Sequence, residues 1–479
     1  MTEYEPVIGM EVHAELLTAS KMFCDCGADF GGAPNTRVCP VCLGLPGSLP
    51  VANRKAVGFV VRAALALNCE IAEYSVFHRK NYFYPDMVKN YQISQYDFPI
   101  GLNGWIDITV GDETKRIRIR RVHLEEDTGK LIHAGGNESL VDYNRSGVPL
   151  MEVVTEADIG SADEAREYLV RLRAILTYLG VNDGKMEEGS LRCEPNISVR
   201  PKGTKKLGTK TELKNLNSFR AVYRGVDYEA ARQIEVLNDG GKVIQQTRRW
   251  DDVRGITSTM RTKEIEQEYR YFPDPDLVPM RFSREFVEDE RAALPELPDQ
   301  KKTRFISDLG LSAYDAEVLT DSRAFAEFFE ETVKLFNEPK TVSNWMMGDF
   351  SKLLNAGGIE VFDSKVKPAG LAKMLKLISE GAISGKIAKG VFEEMFQTGK
   401  SPDQIVKSRG ITQITDEVEI YPVIDQVLSE NADAVKKILA GDAKPIGFLV
   451  GQIMKYTQGR ANPEVVNRLL RERLAISLT

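Results

Sequence analysis

The sequence predicts an α+β fold in which an N-terminal antiparallel-sheet cradle domain is followed by a helical domain and a C-terminal helical tail domain. Up to about Pro295 the chain contains short alternating segments separated by Gly, Asn and Pro turns, which is typical of antiparallel strands. From Leu297 onward, apolar residues recur at helical spacing between short polar connections. A further break, "TGKSPDQ", precedes the last group of helices.

A chain of 479 residues is too long for a single hydrophobic core, so we expect several domains. The predicted domains are the cradle at residues 1–296, a helical bundle at 297–400 and a helical tail at 401–479. The same break that starts the tail makes it a separable helical module, and its last helix carries three arginines. We therefore expect the tail to offer cationic contacts to an anionic partner, although a solvated helix face would look similar.

Two helices interrupt the strands of the cradle domain. "SADEAREYLVRLRAILTYLG" has Ser161 as its N-cap, Glu164 as the capping-box partner and Gly180 as its end. "NSFRAVYRGVDYEAARQIEVLNDGG" has the same organisation and ends at Gly240. Each helix therefore carries its own start and stop signals.

Composition excludes several classes of protein. The chain is 42% apolar and 28% charged with a net charge of −7, which describes a globular protein and not a polycation that coats nucleic acid. No apolar run approaches the length of a bilayer span, and the start "MTEYEPVIG" resembles neither a signal peptide nor a transit peptide. We expect a cytoplasmic protein with no membrane contact.

Four of the six cysteines are clustered in the segment 24–42. A C-x-C pair followed by a C-x-x-C pair can bring four thiolates around one tetrahedral ion. The cysteines expected to bind a structural Zn²⁺ are Cys24, Cys26, Cys39 and Cys42. Four reduced surface thiols are the alternative. Cys69 and Cys193 are expected to pack as small hydrophobic side chains.

The stretch "VIGMEVHAEL" predicts a strand with one apolar and one charged face, because side chains alternate along a strand. The apolar face holds Ile8, Met10, Val12 and Ala14. The charged face holds Glu11, His13 and Glu15.

Three further segments predict polar strand faces. In "RIRIRRVHLEEDTGKLIH", alternation puts Ile117, Ile119, Arg121, His123, Glu125 and Asp127 on one side. In "LRCEPNISVRP" it groups Arg192, Glu194, Asn196, Ser198 and Arg200, and in "GTKTELKNLNSF" it groups Lys210, Glu212 and Lys214. Polar strand faces usually meet water.

The segment "FHRKNYFYPDMVKNYQISQYD" is dense in basic, amide and aromatic residues and shows neither helical nor strand periodicity. Together with the three polar faces, this predicted basic aromatic loop supplies what a site for a hard cation and phosphate needs: carboxylates for the cation and Lys or Arg for the phosphate oxygens. "GTKKLGTKT" is not a P-loop, because Thr209 separates the second glycine from the lysine. We interpret it as a turn between strands.

Several long motifs resemble those of one family. They are "IGMEVHAEL", "KMFCDC", "VCPVCLGLPGSLP", "RKNYFYPDMVKNYQISQYD", "HLEEDTGKLIH", "VDYNRSGVPLMEVVTE", "LRCEPNISVRP", "GTKTELKNLNSFR" and "YRYFPDPDL". They resemble the B subunits of tRNA-dependent glutamyl/aspartyl amidotransferases, in register from residue 7 to about 280, and "GFLVGQIMKYTQGRANPEVVNRLL" resembles the helical module at the family's C-terminus. Two positions depart from the family pattern: Val88 replaces a proline and Glu194 an aspartate.

The resemblance implies a reaction. The family activates the side-chain carboxylate of glutamate misacylated to the glutamine tRNA, or of aspartate on the asparagine tRNA, by ATP-dependent phosphorylation, and ammonia then displaces the phosphate. The implied partners are an amidase-type glutaminase that supplies ammonia, a small third protein that binds the two together, and the misacylated tRNA, which we expect the tail at 401–479 to bind. The absence of G-x-S-x-G and of an amidase-like Ser-Ser-Lys arrangement fits this division of labour.

The resemblance also implies roles for the polar residues. Glu11, His13 and Glu125 are the expected ligands of Mg²⁺, for which Mn²⁺ could substitute at a site that contains imidazole. The groups expected to face the phosphates of ATP are Lys80, Arg79 and Lys210, and the candidates for a second ion are Glu126 and Glu194. The alternative from another class is a non-catalytic, zinc-containing tRNA-binding module of the translation apparatus. Within the enzyme class, the archaeal relative carries a large inserted domain for which this chain has no room.

Overall fold

The computed structural model describes residues 2–133, 138–262, 269–410, 417–439, 444–457 and 461–474. The chain divides into two compact units, Met1–Pro298 and Asp299–Thr479. The first unit is built on a sheet and the second on helices, so the predicted α+β class is confirmed. The domain boundaries at 296/297 and 400/401 stay predictions.

The strands of the first unit are β1 (Tyr4–Glu15), β2 (Glu70–Ile71), β3 (Tyr74–Ser75), β4 (His78–Asn81), β5 (Tyr91–Ser94), β6 (Gly101–Val110), β7 (Glu113–Glu126), β8 (Lys130–His133), β9 (Ser139–Asp142), β10 (Pro149–Thr155), β11 (Leu191–Pro201), β12 (Thr211–Lys214), β13 (Gln246–Asp251), β14 (Ile256–Thr262), β15 (Phe272–Pro273) and β16 (Met280–Arg281). Its helices are α1 (Arg54–Ala66), α2 (Ala162–Tyr178), α3 (Phe219–Asn238) and α4 (Arg284–Ala292).

The main sheet has the strand order β14-β13-β12-β11-β1-β10-β7-β6-β2. Its neighbouring strands are antiparallel with one exception: β12 and β13 are parallel, because α3 connects them as a crossover. The strands β15, β4 and β5 form a smaller sheet, while β16 pairs with β3 and β8 with β9. The segment predicted as an irregular basic loop therefore contains the β4–β5 hairpin.

β1 lies at the centre of the main sheet, between β10 and β11. Its apolar residues are buried as predicted: Ile8, Met10, Val12 and Ala14 are at most 1% exposed. They belong to the core that α1, α2 and α3 complete on this side of the sheet. The charged face of β1 consequently lies on the side away from the core.

The predicted caps of α2 are formed with one difference. The Ser161 hydroxyl accepts a hydrogen bond from the Glu164 backbone N–H at 3.1 Å. The Glu164 carboxylate does not reach back to Ser161 but accepts from the backbone N–H of Gly160 at 2.7 Å. Gly180, with φ +65°, follows the end of the helix as expected.

The alternation predicted for β7 is wrong, because this strand contains a β-bulge. The register between β7 and β10 shifts between Val154 and Thr155, so that Arg120 is an extra residue on β7. Ile117 and Ile119 are buried with Val122 and Leu124, not on the side of His123. β6 is the other neighbour of β7, and its residue Asn103 lies opposite the bulge with φ +54°. The bulge turns the second half of β7 over, because side chains alternate with period 2.

The helices of the second unit are α5 (Pro298–Ser307), α6 (Ala313–Thr320), α7 (Arg323–Leu335), α8 (Pro339–Trp345), α9 (Ser351–Gly357), α10 (Pro368–Ser379), α11 (Gly385–Thr398), α12 (Pro402–Ser408), α13 (Glu417–Glu430), α14 (Ala432–Leu439), α15 (Pro445–Tyr456) and α16 (Pro463–Arg473). A π-helical turn joins α8 to α9 at Met346–Phe350, and a 3₁₀ turn lies at Val361–Asp363. The four helices from α13 onward share a core of their own. Over the described ranges, no helix has both the length and the apolar character that crossing a membrane requires.

Candidate active site

The polar face of the main sheet forms the floor of an open cleft with a volume of about 1370 Å³. β1, β7, β10, β11 and β12 contribute the floor, and the β4–β5 hairpin and residues 269–271 contribute a wall. The charged residues of the floor are Glu11, His13, Arg120, Arg121, His123, Glu125, Asp127, Glu152, Arg192, Glu194, Lys210, Glu212 and Lys214. The wall carries Lys80, Arg270 and several aromatic rings. The polar strand faces found in the sequence thus meet in one cavity.

Three potential metal ligands converge on this floor. One ligand atom each of His13, Glu125 and Glu152 lies within 4.8 Å of the others. His13 Nε2 is 3.7 Å from Glu125 Oε1 and 3.4 Å from Glu152 Oε2. Strand register explains the approach, since His13 of β1 is the Cα partner of Glu152 of β10. His123 approaches the same two carboxylates from the far side, with its Nε2 at 3.5 and 3.2 Å.

The electrostatics of this group keep its carboxylates ionised. Burial opposes their ionisation, but the neighbouring imidazoles outweigh it and lower the pKa of Glu125 and, further, that of Glu152. Burial also opposes charge on His13, yet the charge and hydrogen bond of Glu152 raise its pKa to about 9. Two ionised carboxylates and one imidazole form a donor set suited to a divalent cation, provided that His13 releases its proton when the cation binds.

β5 fixes the position of Glu125. The Ser94 hydroxyl donates to Glu125 Oε2 at 2.9 Å, and both groups are buried. The Leu124 N–H donates to the Gln95 side chain at 3.0 Å, and the Gln92 side chain donates to the Glu126 carbonyl at 2.7 Å. These three contacts attach the hairpin to the end of β7. We call them the β5 clip.

The rest of the floor lies toward β11 and β12. Glu11 accepts a hydrogen bond from Asn196 at 3.0 Å, and burial together with Glu152 and Glu194 raises its pKa. Glu11 thus shares the face of His13 but is not one of the three converging ligands. The Lys214 ammonium lies 2.6 Å from Glu194 and 3.2 Å from Glu212, so Glu194 is paired with a cation of the protein.

Of the predicted phosphate-binding groups, the structure brings Lys80 and Lys210 to the cleft. Lys80 Nζ lies 4.9 Å above the Tyr269 ring. Arg79 is the next residue of β4 and extends elsewhere, to Asp274 at 2.7 Å and Asp276 at 2.8 Å. Among the described residues, Arg79 is not part of the cleft lining.

Glu126 is also separated from the cleft. It accepts a hydrogen bond from the Ile93 N–H at 2.9 Å and is paired with Lys89. This side chain lines a second, small cavity of about 60 Å³ together with Lys21, Cys24 and Cys42. The structure therefore places Glu126 beside the cysteine cluster and away from the converging carboxylates.

The four clustered cysteines come together as their spacing predicts. One Sγ atom from each of Cys24, Cys26, Cys39 and Cys42 lies within 4.8 Å of the others. Hydrogen bonding with Cys24 and with the Cys39 backbone, and the nearby Lys21 ammonium, lower the pKa of Cys42 to about 4. Cys69 and Cys193, by contrast, are 7% and 3% exposed in the core, as expected.

Glu152 is the member of the converging group that sequence reasoning missed. It lies on β10, "PLMEVVT", in which all residues except Glu152 and the final threonine are apolar. Glu152 is only 8% exposed. Alternation gives no indication of a polar face on such a strand. The available signal was the single carboxylate in the middle of an apolar run, because a buried charge is rare unless it is paired or binds a metal.

The α+β fold and the polar cleft define an enzyme domain, and comparison with known proteins specifies its family. The model of the GatB/GatE catalytic domain matches residues 6–288, and that of the GatB domain matches residues 327–474. This chain therefore belongs to the GatB/GatE family, and the resemblance seen in its sequence motifs is confirmed.

Curated relatives match the full length of the chain. A protein of Carboxydothermus hydrogenoformans, named as the B subunit of an aspartyl/glutamyl-tRNA(Asn/Gln) amidotransferase, is 56% identical over 479 residues, which cover 99% of this chain and 100% of the relative. A protein of the same name from Caldanaerobacter subterraneus is 56% identical over 473 residues, covering 99% of this chain and 100% of the relative. The protein of that name from Persephonella marina is 54% identical over 473 residues, with 98% and 100% covered.

Proposed function

We propose that this chain is the transamidating subunit of a glutamine-hydrolysing, ATP-dependent aminoacyl-tRNA amidotransferase, a ligase of protein biosynthesis. Its substrates are Glu-tRNA(Gln), Asp-tRNA(Asn) or both, and its products are Gln-tRNA(Gln) and Asn-tRNA(Asn). Membership of the family and identity over the full length to relatives of that name support the reaction class. The observation that carries the proposal to named residues is the convergence of His13, Glu125 and Glu152 on the cleft floor.

The reaction has two balanced steps. A side-chain carboxylate oxygen of the aminoacyl group attacks the terminal phosphorus of ATP, and ADP leaves. Ammonia then attacks the carbonyl carbon of the acyl phosphate, and inorganic phosphate leaves with the original carboxylate oxygen. The first step brings two anions together, so its barrier is lowered chiefly by positioning and by fixed positive charge.

His13, Glu125 and Glu152 would hold the Mg²⁺ that the reaction uses, and Mn²⁺ would suit the imidazole ligand better, because Mg²⁺ prefers oxygen. A cation bound there would supply positive charge that offsets the charge of the phosphate oxygens. Lys80 and Lys210 line the same cavity and would face those oxygens. Glu11 stays a candidate ligand from the adjacent position on β1.

The cysteine cluster would hold a structural Zn²⁺ in this proposal. Four sulfur ligands close a tetrahedral site and leave no position for substrate. The lowered pKa of Cys42 fits this role, because the thiolate is the form that binds metal. Hydrogen bonding to Cys42 raises the pKa of Cys24 and burial raises that of Cys26, so these two thiols would release their protons on binding the ion.

The family resemblance, and the naming of the relatives as B subunits of an amidotransferase, support the proposed partners. Ammonia would come from an amidase-type glutaminase, with a small third protein joining the complex, and misacylated tRNA would contact the helical tail at 401–479. In that tail Arg468 is ion-paired with Glu417 and Arg473 with Asp425, whereas Arg471 hydrogen-bonds Asn467. The cytoplasmic location expected from the sequence belongs to the same proposal.

An isotope experiment tests the proposal. The complex would be supplied with ATP, glutamine and misacylated tRNA whose side-chain carboxylate carries ¹⁸O. We expect one ¹⁸O in each phosphate released, because the carboxylate oxygen leaves with the phosphoryl group. Released phosphate without label would contradict the acyl-phosphate mechanism. A non-catalytic tRNA-binding module would bind the tRNA without any ATP cleavage.

A further inference from the structure

The bulge of β7 places an arginine in the cleft that has no partner of opposite charge among the described residues. Arg121 follows the extra residue Arg120, and both side chains line the cavity. Because bulges re-aim side chains, the core-facing alternation of Ile117 and Ile119 does not continue to Arg121.

Arg121 differs from the other arginines of its strand. Arg116 is paired with Asp107, Arg118 with Asp158 and Arg120 with Glu156, each through two nitrogens. Arg121 Nε is buried without a hydrogen-bond partner, and no carboxylate pairs with the guanidinium within the described part of the chain. A buried donor that is left unsatisfied is costly, which indicates a ligand for it.

The surroundings of Arg121 connect it to the converging carboxylates and to Lys80. Its guanidinium carbon lies 6.0 Å from the centre of the Tyr96 ring, and Tyr96 is stacked on Tyr271 with centroids 4.3 Å apart. Burial raises the pKa of Tyr271 to about 12, while the charges of Lys80 and Arg121 oppose the rise. The phenol therefore lies within electrostatic reach of both cations.

We propose that Arg121 binds the phosphate oxygens of ATP opposite Lys80 and takes the place that the sequence assigned to Arg79. Arg79 is already engaged by two aspartates, whereas Arg121 offers an unused planar fork at the edge of the same floor. A guanidinium can form two parallel hydrogen bonds to a phosphate group, which a lysine cannot. This inference rests on the proposed function and names a further binding group for its first step.

The carboxylates of the floor explain why a second cation is needed. Glu11, Glu125 and Glu152 all line this floor, so a triphosphate that enters the cavity faces several carboxyl groups. Lys214 is placed to offset Glu194 and Glu212 and is not available for the nucleotide. Arg121 and Lys80 together would hold the terminal phosphoryl group over the carboxylates and orient it toward the incoming oxygen.

The test compares Arg121→Gln with Arg118→Gln in the intact complex. Arg118 lies on the same strand and its side chain is 66% exposed outside the cleft, so its variant is the matched control. We expect Arg121→Gln to lower kcat/KM for ATP in the presence of misacylated tRNA by roughly 10²-fold and to leave the Kd for tRNA unchanged. Arg118→Gln should have wild-type kinetics.

Two results would overturn the proposal: wild-type kcat/KM for ATP in Arg121→Gln, or a loss confined to tRNA affinity, which would make Arg121 a contact for RNA. Circular dichroism and glutamine hydrolysis report whether the variant folds and assembles. If Arg121→Gln does not fold, Arg121→Lys decides, with an expected loss of about tenfold because the fork is absent. If the wild-type complex itself released no labelled phosphate, the proposed function would fail, independently of Arg121.

Discussion

The first unit contains two candidate metal centres that differ in donor atoms and in access. The cysteine cluster offers four sulfur ligands beside a cavity of about 60 Å³. The carboxylate centre offers two oxygens and one imidazole nitrogen on the floor of a cavity of about 1370 Å³. Four sulfurs complete a tetrahedral shell, whereas three mixed ligands leave positions for substrate and water. We therefore expect the cysteine cluster to serve stability and the carboxylate centre to serve chemistry.

The carboxylate centre should show the strongest loss of function. His13→Ala should slow tRNA-dependent ATP cleavage by roughly 10²- to 10³-fold, because it removes a ligand of the cation that offsets the developing charge. The side chain lies on the polar face of β1, so its loss opens no apolar cavity. Phosphate release would be measured beside thermal unfolding and glutamine hydrolysis. If a folded His13→Ala complex cleaved ATP at the wild-type rate, the carboxylate centre would not be the site of ATP cleavage.

Changes in the cysteine centre should lower stability. Cys42→Ser is expected to lower bound zinc well below one per chain and to reduce the free energy of unfolding by roughly 3 kcal/mol, since a lost metal is among the large destabilising changes. Metal analysis and chemical denaturation measure the two quantities. Cys193→Ser, which changes a cysteine outside the cluster, is the control for metal content. Full zinc occupancy in Cys42→Ser would show that this cysteine is not a ligand.

A subtler change alters only the support of a ligand at the carboxylate centre. Ser94→Ala removes the hydroxyl that donates to Glu125 at 2.9 Å. We expect the Mg²⁺ concentration for half-maximal activity to rise about tenfold, as is usual when a group that orients a metal ligand is lost. Thr247→Ala removes a comparable bond to Glu212, at 3.0 Å, and should leave the Mg²⁺ requirement unchanged. An equal shift in both variants would argue against a specific role for Ser94.

The bulge lies outside both centres, and a change there should have only a modest effect on stability. Asn103 adopts φ +54° opposite Arg120, a conformation that a β-branched residue resists. Asn103→Val should therefore lower the free energy of unfolding by about 1–2 kcal/mol, whereas Asn103→Gly should not. Urea denaturation of both variants decides, and zinc content should remain unchanged in either. Equal stability of the two would mean that the left-handed conformation is not required there.

The sequence predicted those parts of the site in which alternation is regular. β1 behaved as expected because every second residue is apolar and reaches the core. The bulge was not predicted, although Ile119 and Val122 are three residues apart and so could not share a face of a regular strand. The segment around Arg79 and Lys80 was interpreted as aperiodic, so both residues were expected to face the phosphates. They are consecutive residues of strand β4 and therefore extend to different neighbours. Only one of them could reach the cleft.

Tertiary structure determined the rest. Glu152 lies among apolar residues of its own strand and acquires a role only because β1 and β7 place imidazoles on both sides of it. Nothing in the local sequence of β10 identifies those neighbours. The pairing of Lys214 with Glu194 is similar, because residues of two strands had to be brought together by the sheet.

The β5 clip makes one mechanical unit of two parts of the site that are far apart in the sequence. Lys80 of β4 is the Cα partner of Gln92 on β5, and Gln92 donates to the backbone of β7 beside Glu125. A displacement of the hairpin would therefore move Lys80 and Glu125 together and preserve the distance between them. Slow amide hydrogen exchange at Ile93 and Leu124, with equal protection at both, would show that β5 and β7 open as one unit.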